Sequence, residues 1–179
     1  LLMDWYLPAV TGRPPAPGLA EEYRGCWQRL LPLAWGVPNT LVLRDFHVDN
    51  LLRLPDRGGI EACGLLDFQD AVVGPVSYDL MSLLEDARRD VAPDLAAAMA
   101  ARYLAAFPDL DAGTLELSMT VLGAQRHCKV IGIFTRLCVR DGKSLYLGHI
   151  PHVWRLLERA LARAELAPLA ALLENALPA

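Results

Sequence analysis

Lysine is nearly missing from this sequence: only Lys129 and Lys143 occur in 179 residues. Lys129 falls in an apolar helical stretch and Lys143 in an Arg-Asp-Gly-Lys turn, so no strand lysine is present to hold nucleotide phosphates. A glycine-rich phosphate loop is missing too. Gly58, Gly59 and Gly64 lack a following helix and a Lys-Ser/Thr pair, and read as a turn. There is no basic excess. The net charge is −4, whereas nucleic-acid binders carry a basic stripe, so no nucleic-acid partner is expected. The longest uncharged run, Leu30 to Leu43, contains Pro32 and Pro38 and falls short of the roughly 20 residues of a membrane span. A signal-peptide start is lacking, with Asp4 and Pro8 early and no basic segment. Cys26, Cys63, Cys128 and Cys138 show neither CxxC nor zinc spacing, and read as buried free thiols of a reducing cytoplasm.

What is abundant is apolar surface. Hydrophobic residues make up 54% of the chain, high for a soluble domain. With no spanning segment to absorb them, the expectation is that a partner lobe covers part of this surface. The length suits a single domain over 1–179.

Residues 11–18, TGRPPAPG, form a Pro/Gly-rich loop. Apolar residues at three- and four-residue spacings predict a helix over 19–31. Residues 40–43 read as a short buried strand. Two apolar runs, 50–54 and 60–66, flank PDRGG and predict a hairpin, with Gly58 and Gly59 at positive φ. Gly74-Pro75 then breaks the chain, and Ser77 is placed to cap a helix to about Asp90. Further helices are expected at 93–107, 114–139 (stopped by Asp141-Gly142), 151–164 and 167–177. The fold class is α+β, mostly helical around a small β-hairpin unit.

The chemistry is concentrated in two short segments. Arg44 to Asn50 reads R-D-F-H-V-D-N, a carboxylate after a strand and an asparagine five residues later. Leu65 to Gln69 reads L-L-D-F-Q, a second carboxylate at the end of the hairpin. The hairpin brings Asn50 and Asp67 together, with Asp45 beside them. That set suits phosphoryl transfer, which depends on positioning and charge neutralisation. Asp45 would orient an acceptor hydroxyl and take its proton. Mg2+ prefers oxygen ligands; the Asn50 amide and the Asp67 carboxylate would supply two, and triphosphate oxygens and water the rest.

R-D-x-x-x-x-N followed by a strand-end D-F resembles the catalytic loop and metal-binding aspartate of the protein-kinase-like superfamily. The wider segments LVLRDFHVDNLL and GLLDFQDAVVGPVSYDL resemble the aminoglycoside phosphotransferase family. Together with DWYLPAVTG, SLLEDARRDV and GIFTRLCVRDG, they are similar to bacterial kinases that phosphorylate the anomeric hydroxyl of N-acetylmuramate and N-acetylglucosamine in cell-wall recycling. The resemblance runs over nearly the whole chain. It implies a kinase-like C-terminal lobe that uses ATP and Mg2+, starting just beyond the inter-lobe hinge, with the ATP-covering lobe missing and the chain alone inactive or nearly so. It also implies that Asp79 is a structural carboxylate bracing the catalytic-loop backbone. Two positions depart from the pattern. Leu43 stands where a histidine is usual, and Gln69 where protein kinases have glycine.

Other residues have two readings. His47 and Asp49 either touch substrate or bond loop backbone. Arg44 pairs with a carboxylate or a loop carbonyl. Asp70 either contacts metal or substrate, or caps a turn. Glu85, Asp86, Arg88 and Arg89 form either a solvated helix end or a substrate contact. Gln125, Arg126, His127 and Lys129 interrupt the long apolar helix and suggest a cleft wall, with Arg126 and Lys129 as substrate-binding candidates. Trp5, Trp27, Trp35 and Trp154 read as core anchors. Two functional alternatives stay open: a kinase for an aminoglycoside, choline-like or other hydroxylated acceptor, and a pseudokinase-like binding module without activity.

Overall fold

The computed structural model describes residues 1–177. In chain order its elements are α1 (Leu7–Thr11), α2 (Leu19–Ala34), β1 (Asn39–Val42), β2 (Leu51–Arg53), β3 (Cys63–Leu65), β4 (Val72–Pro75), α3 (Ser77–Leu84), α4 (Pro93–Ala106), α5 (Ala112–Asp141), α6 (Ile150–Leu161) and α7 (Ala167–Ala176). They fall into two compact units. One comprises Leu1–Ala34, Ala87–Asp90 and Thr120–Ala179; the other comprises Trp35–Asp86 and Val91–Met119.

The first unit is helical. On α6, Val153, Leu156, Leu157 and Ala160 are all buried, and this i, i+3, i+4, i+7 spacing is one apolar helix stripe. On α2, Cys26, Trp27, Leu30 and Ala34 are buried. Burial of Leu30 and Ala34 carries α2 through Pro32, three residues beyond its expected end, because the packed last turn offsets the one hydrogen bond that proline cannot make. Tyr6 stacks on Trp154 with centroids 5.6 Å apart. Gly132 on α5 is required by close approach: a Cβ there would lie 2.5 Å from the Leu1 carbonyl carbon. Helix α5 ends at Gly142, whose φ of 68° lets its N–H donate to the Cys138 carbonyl, the left-handed termination expected there. The Cys128 thiol is buried and desolvation pushes its pKa up to about 12, so it is an inert core group.

The second unit carries the strands. β1 pairs antiparallel with β4, Val42 opposite Val72 and Asn39 opposite Pro75. β2 pairs antiparallel with β3, Leu51 opposite Leu65. β4 forms where Gly74-Pro75 is expected to break the chain. Pro75 is tolerated because it closes the ladder's end, where its missing N–H costs no interior bond. β1 is not a buried strand, since only Val42 is buried along it. The hairpin forms, but only Gly59 has positive φ; Gly58 is extended at φ −107°.

Helix α3 departs from expectation at both ends. Ser77 does not cap it. Val76 is the N-cap residue, and the buried Ser77 hydroxyl instead bonds Ser118 Oγ of α5 at 2.7 Å. The helix stops at Leu84 because Glu85 leaves helical dihedrals (φ −118°, ψ 52°) and Asp86 is buried. Trp35 and Cys63 are exposed, contrary to their expected burial, whereas Cys26 and Cys128 are buried and Cys138 is half-buried. Among the described residues all four cysteines are free thiols.

Asp111 caps α5. Its Oδ2 accepts the Thr114 N–H at 2.8 Å and the Thr114 hydroxyl at 2.7 Å, and these bonds hold its pKa below the ordinary value of 3.8. A carboxylate with a lowered folded pKa stabilises fully above the unfolded value, and loses that contribution as pH falls through the folded one. Asp111→Ala should therefore lower the Tm at neutral pH, and the gap to the parent should shrink in acid below pH 3.8. Paired thermal melts at neutral and acid pH check this.

Candidate active site

Two loops in the second unit are closed by the two ladders. Residues 43–50 leave the end of β1 and enter β2; residues 66–71 leave the end of β3 and enter β4. Since Val42 faces Val72 and Leu51 faces Leu65, both loops start and finish beside each other. The Leu66 N–H donates to the Asn50 carbonyl at 2.9 Å, extending the second ladder by one bond. Arg44 Nη1 donates to the Asp70 carbonyl at 3.3 Å, tying the loops again. Antiparallel pairing alone thus brings the segment containing Asp45 and Asn50 against the segment containing Asp67 and Asp70.

The backbone is strained at both segments. Among the described residues, Arg44 (φ 72°) and Asp67 (φ 55°) are the two non-glycine positions with positive φ. Such residues cost about 1–3 kcal/mol each and persist where surrounding bonds over-determine them. Asp79, in the first turn of α3, supplies those bonds at Arg44. Its Oδ2 accepts the Leu43 N–H at 2.6 Å and its Oδ1 accepts the Arg44 N–H at 3.1 Å. Both carboxylate oxygens therefore hold the backbone just before Asp45. Tyr103 of α4 lies near enough to feel this carboxylate; burial first, then the Asp79 charge, raises its pKa.

Within the first loop, Val48–Asn50 form a 3₁₀ turn, and the Asn50 N–H donates to the His47 carbonyl at 2.9 Å. The Asn50 side-chain Nδ2 donates to the Asp45 carbonyl at 2.8 Å and lies 3.4 Å from His47 Nε2. His47 Nδ1 is 3.8 Å from Asp49 Oδ2. With Nδ2 engaged, the amide oxygen is the end of Asn50 left for a cation. In the second loop, Gln69 Nε2 donates to Asp67 Oδ1, and the carboxylate is exposed. An amide oxygen and a carboxylate fit a hard cation such as Mg2+. No group of three or more His, Cys, Asp or Glu able to hold a metal occurs among the described residues.

Asp45, Asp49 and Asp70 are exposed, and His47 is half-buried. Arg44 engages a loop carbonyl rather than a carboxylate. Arg126 and Lys129 stand on α5 in the first unit. There Arg126 is only 7% exposed and His127 is 1% exposed, so these two are core residues and not the cleft wall expected of them. Gln69 was passed over in the sequence as a mere departure from glycine, yet its amide orients the Asp67 carboxylate. A side-chain amide two residues after a loop carboxylate was the available signal.

Residues 1–114 match the phosphotransferase enzyme family. The chain is similar to the N-acetylmuramate/N-acetylglucosamine kinase of Caulobacter vibrioides, with 44% identity over 157 residues, covering 88% of this chain and 43% of that protein. The enzyme of the same name from Neisseria meningitidis serogroup B is 40% identical, covering 97% of this chain and 52% of its own length. That of Pseudomonas aeruginosa is 39% identical, with 98% and 52% covered. The chain spans about half the length of these relatives. Both ladder-closed loops and the Asp79 brace fall inside the matched 1–114 stretch, and the chain belongs to the phosphotransferase enzyme family.

Proposed function

We propose that this chain carries the acceptor- and metal-binding half of a kinase that uses Mg2+ and ATP to phosphorylate the anomeric hydroxyl of an amino sugar of the N-acetylmuramate/N-acetylglucosamine type. The observation that carries the reading is the joining of loops 43–50 and 66–71 by two ladders and the Arg44–Asp70 bond. The names of the relatives support the acceptor class.

In this reading the Asp45 carboxylate accepts a hydrogen bond from the acceptor hydroxyl, orients its oxygen and takes its proton as the new O–P bond forms and ADP leaves. Asn50 Oδ1 and Asp67 would hold the cation. Bound Mg2+ supplies neutralisation of the phosphate charge. Asp79 and Arg44 keep the two loops in register.

A second lobe supplies the nucleotide-covering surface. Support comes from the second unit, where Leu41 of β1 (63% exposed), Val73 of β4 (73%) and Ile60 in the turn between β2 and β3 (91%) lie in water, as do Leu66 and Phe68 in the loop after β3. An apolar set of this extent suits a covering partner. No helix among the described residues is long and apolar enough to cross a membrane, consistent with a cytoplasmic enzyme of cell-wall recycling.

Exposed Asp49 and Asp70 within the loops favour, as a second reading, a cationic acceptor of the aminoglycoside or choline type. ADP release from Mg-ATP, measured on the full-length protein with N-acetylmuramate, N-acetylglucosamine, choline and kanamycin, separates the readings. Release with the two amino sugars alone is the expected result. Release with kanamycin or choline alone moves the acceptor to the second reading. No release, together with no Mg-ATP binding, would leave a binding module.

A further inference from the structure

The geometry points to His47 as a positioning residue that sets which end of the Asn50 amide faces the cation. The inference rests on the reading of Asn50 as a magnesium ligand and adds to it the group that makes the side chain competent.

An asparagine amide presents an oxygen and an NH₂ of nearly the same shape, and a half-turn exchanges a metal ligand for a group that repels the metal. The direction of the amide therefore has to be fixed by its neighbours. Asn50 Nδ2 has two protons. One is donated to the Asp45 carbonyl at 2.8 Å. The other lies toward His47 Nε2, 3.4 Å away. Facing an NH₂ group, Nε2 serves as the acceptor, which puts the ring proton on Nδ1.

The surroundings of the ring favour that tautomer. Nδ1 is buried with no hydrogen-bond partner, and the Asp49 Oδ2 carboxylate oxygen lies 3.8 Å from it. A proton on Nδ1 faces that charge, whereas a bare lone pair there would be repelled by it. Backbone geometry holds the pair together: the Asn50 N–H bonds the His47 carbonyl at 2.9 Å, so the two side chains share one face of the 3₁₀ turn. A flipped amide would set its oxygen against the Asp45 carbonyl oxygen and against the Nε2 lone pair. Both contacts repel, and Oδ1 is kept outward.

His47 thus acts through Asn50, as groups behind a metal ligand commonly do, and their loss weakens metal affinity about 10- to 100-fold. The test is Mn2+ binding to the full-length protein in the presence of ADP, followed by electron paramagnetic resonance. His47→Ala should weaken Mn2+ binding within that range and leave the acceptor KM unchanged. His47→Gln, whose Oε1 reaches the place of Nε2, should restore most of the affinity. Asp49→Ala should weaken it in the same direction by less, a readout that survives if His47→Ala does not fold. Unchanged Mn2+ affinity in His47→Ala and Asp49→Ala, or a raised acceptor KM with normal Mn2+ affinity, would overturn the inference alone. Failure of the wild-type protein to hold Mn2+ with ADP would overturn the assignment of Asn50 and Asp67, and the inference with it.

Discussion

Asp45→Asn in the full-length protein should lower kcat by about 10²–10⁴-fold, with nucleotide affinity little changed. The substituted amide keeps a polar group that can touch the acceptor hydroxyl, but it cannot take a proton at the pH of the reaction. The loss corresponds to roughly 3–5 kcal/mol of transition-state stabilisation, at about 1.4 kcal/mol per decade. Folding should be unaffected for a specific reason. Asn50 is held by the backbone carbonyl of residue 45, not by its side chain, and the Asp45 carboxylate is exposed. Steady-state kinetics with an amino-sugar acceptor, alongside nucleotide binding and a thermal melt, check all three points. Normal turnover in Asp45→Asn would remove Asp45 from the role of base.

Much of this site was legible because its information is local. The five-residue interval between Asp45 and Asn50 is covalent, and the apolar runs on either side of PDRGG announce the β2–β3 pairing whatever the rest of the chain does. Asp67 follows as the second residue beyond β3. Helix α4 was legible because Pro93 opens an alanine-rich run, and α5 because its 30 residues end at Asp141-Gly142.

What stayed hidden depends on contacts distant in sequence. Gly74-Pro75 reads as punctuation, and only pairing with β1, more than thirty residues back, makes it a strand. Ser77 looks like a cap until the Ser118 hydroxyl, 41 residues on, is found to be its partner. The polar group on α5 reads as a cleft wall because a buried arginine is uncommon, yet Arg126 and His127 lie in the core. The left-handed backbone at Arg44 has no residue-type signal, and Asp67 carries only the weak one of aspartate, which enters that region more readily than most residues. These two positions are where local preference gives way to the site, as strained residues at functional loops do.

The second large effect is expected at Asp79, and it should appear in stability and turnover together. Asp79→Ala removes two charge-assisted bonds at once, to the N–H groups of Leu43 and Arg44. Hydrogen bonds to a charged group contribute roughly 1.5–3 kcal/mol each, so a loss of about 3–6 kcal/mol is expected in urea unfolding. The consequence for activity follows from Arg44. Its φ of 72° is held in part by the bond that Asp79 accepts, and without it the residue relaxes toward negative φ. Relaxation there re-aims the next residue, Asp45, and pulls on the Arg44–Asp70 bond that ties the two loops. Asp79→Asn separates the two effects. The amide oxygen can accept one of the two N–H groups, while its NH₂ opposes the other, so roughly half of the stability loss should remain. If Asp79 acts only by holding the loop, both variants should lower kcat without changing its pH profile, whereas Asp45→Asn removes the titrating base itself. A stable, fully active Asp79→Ala protein would show that the ladders alone hold the loop, and that the strain at Arg44 is maintained by β1, β4 and the Asp70 carbonyl.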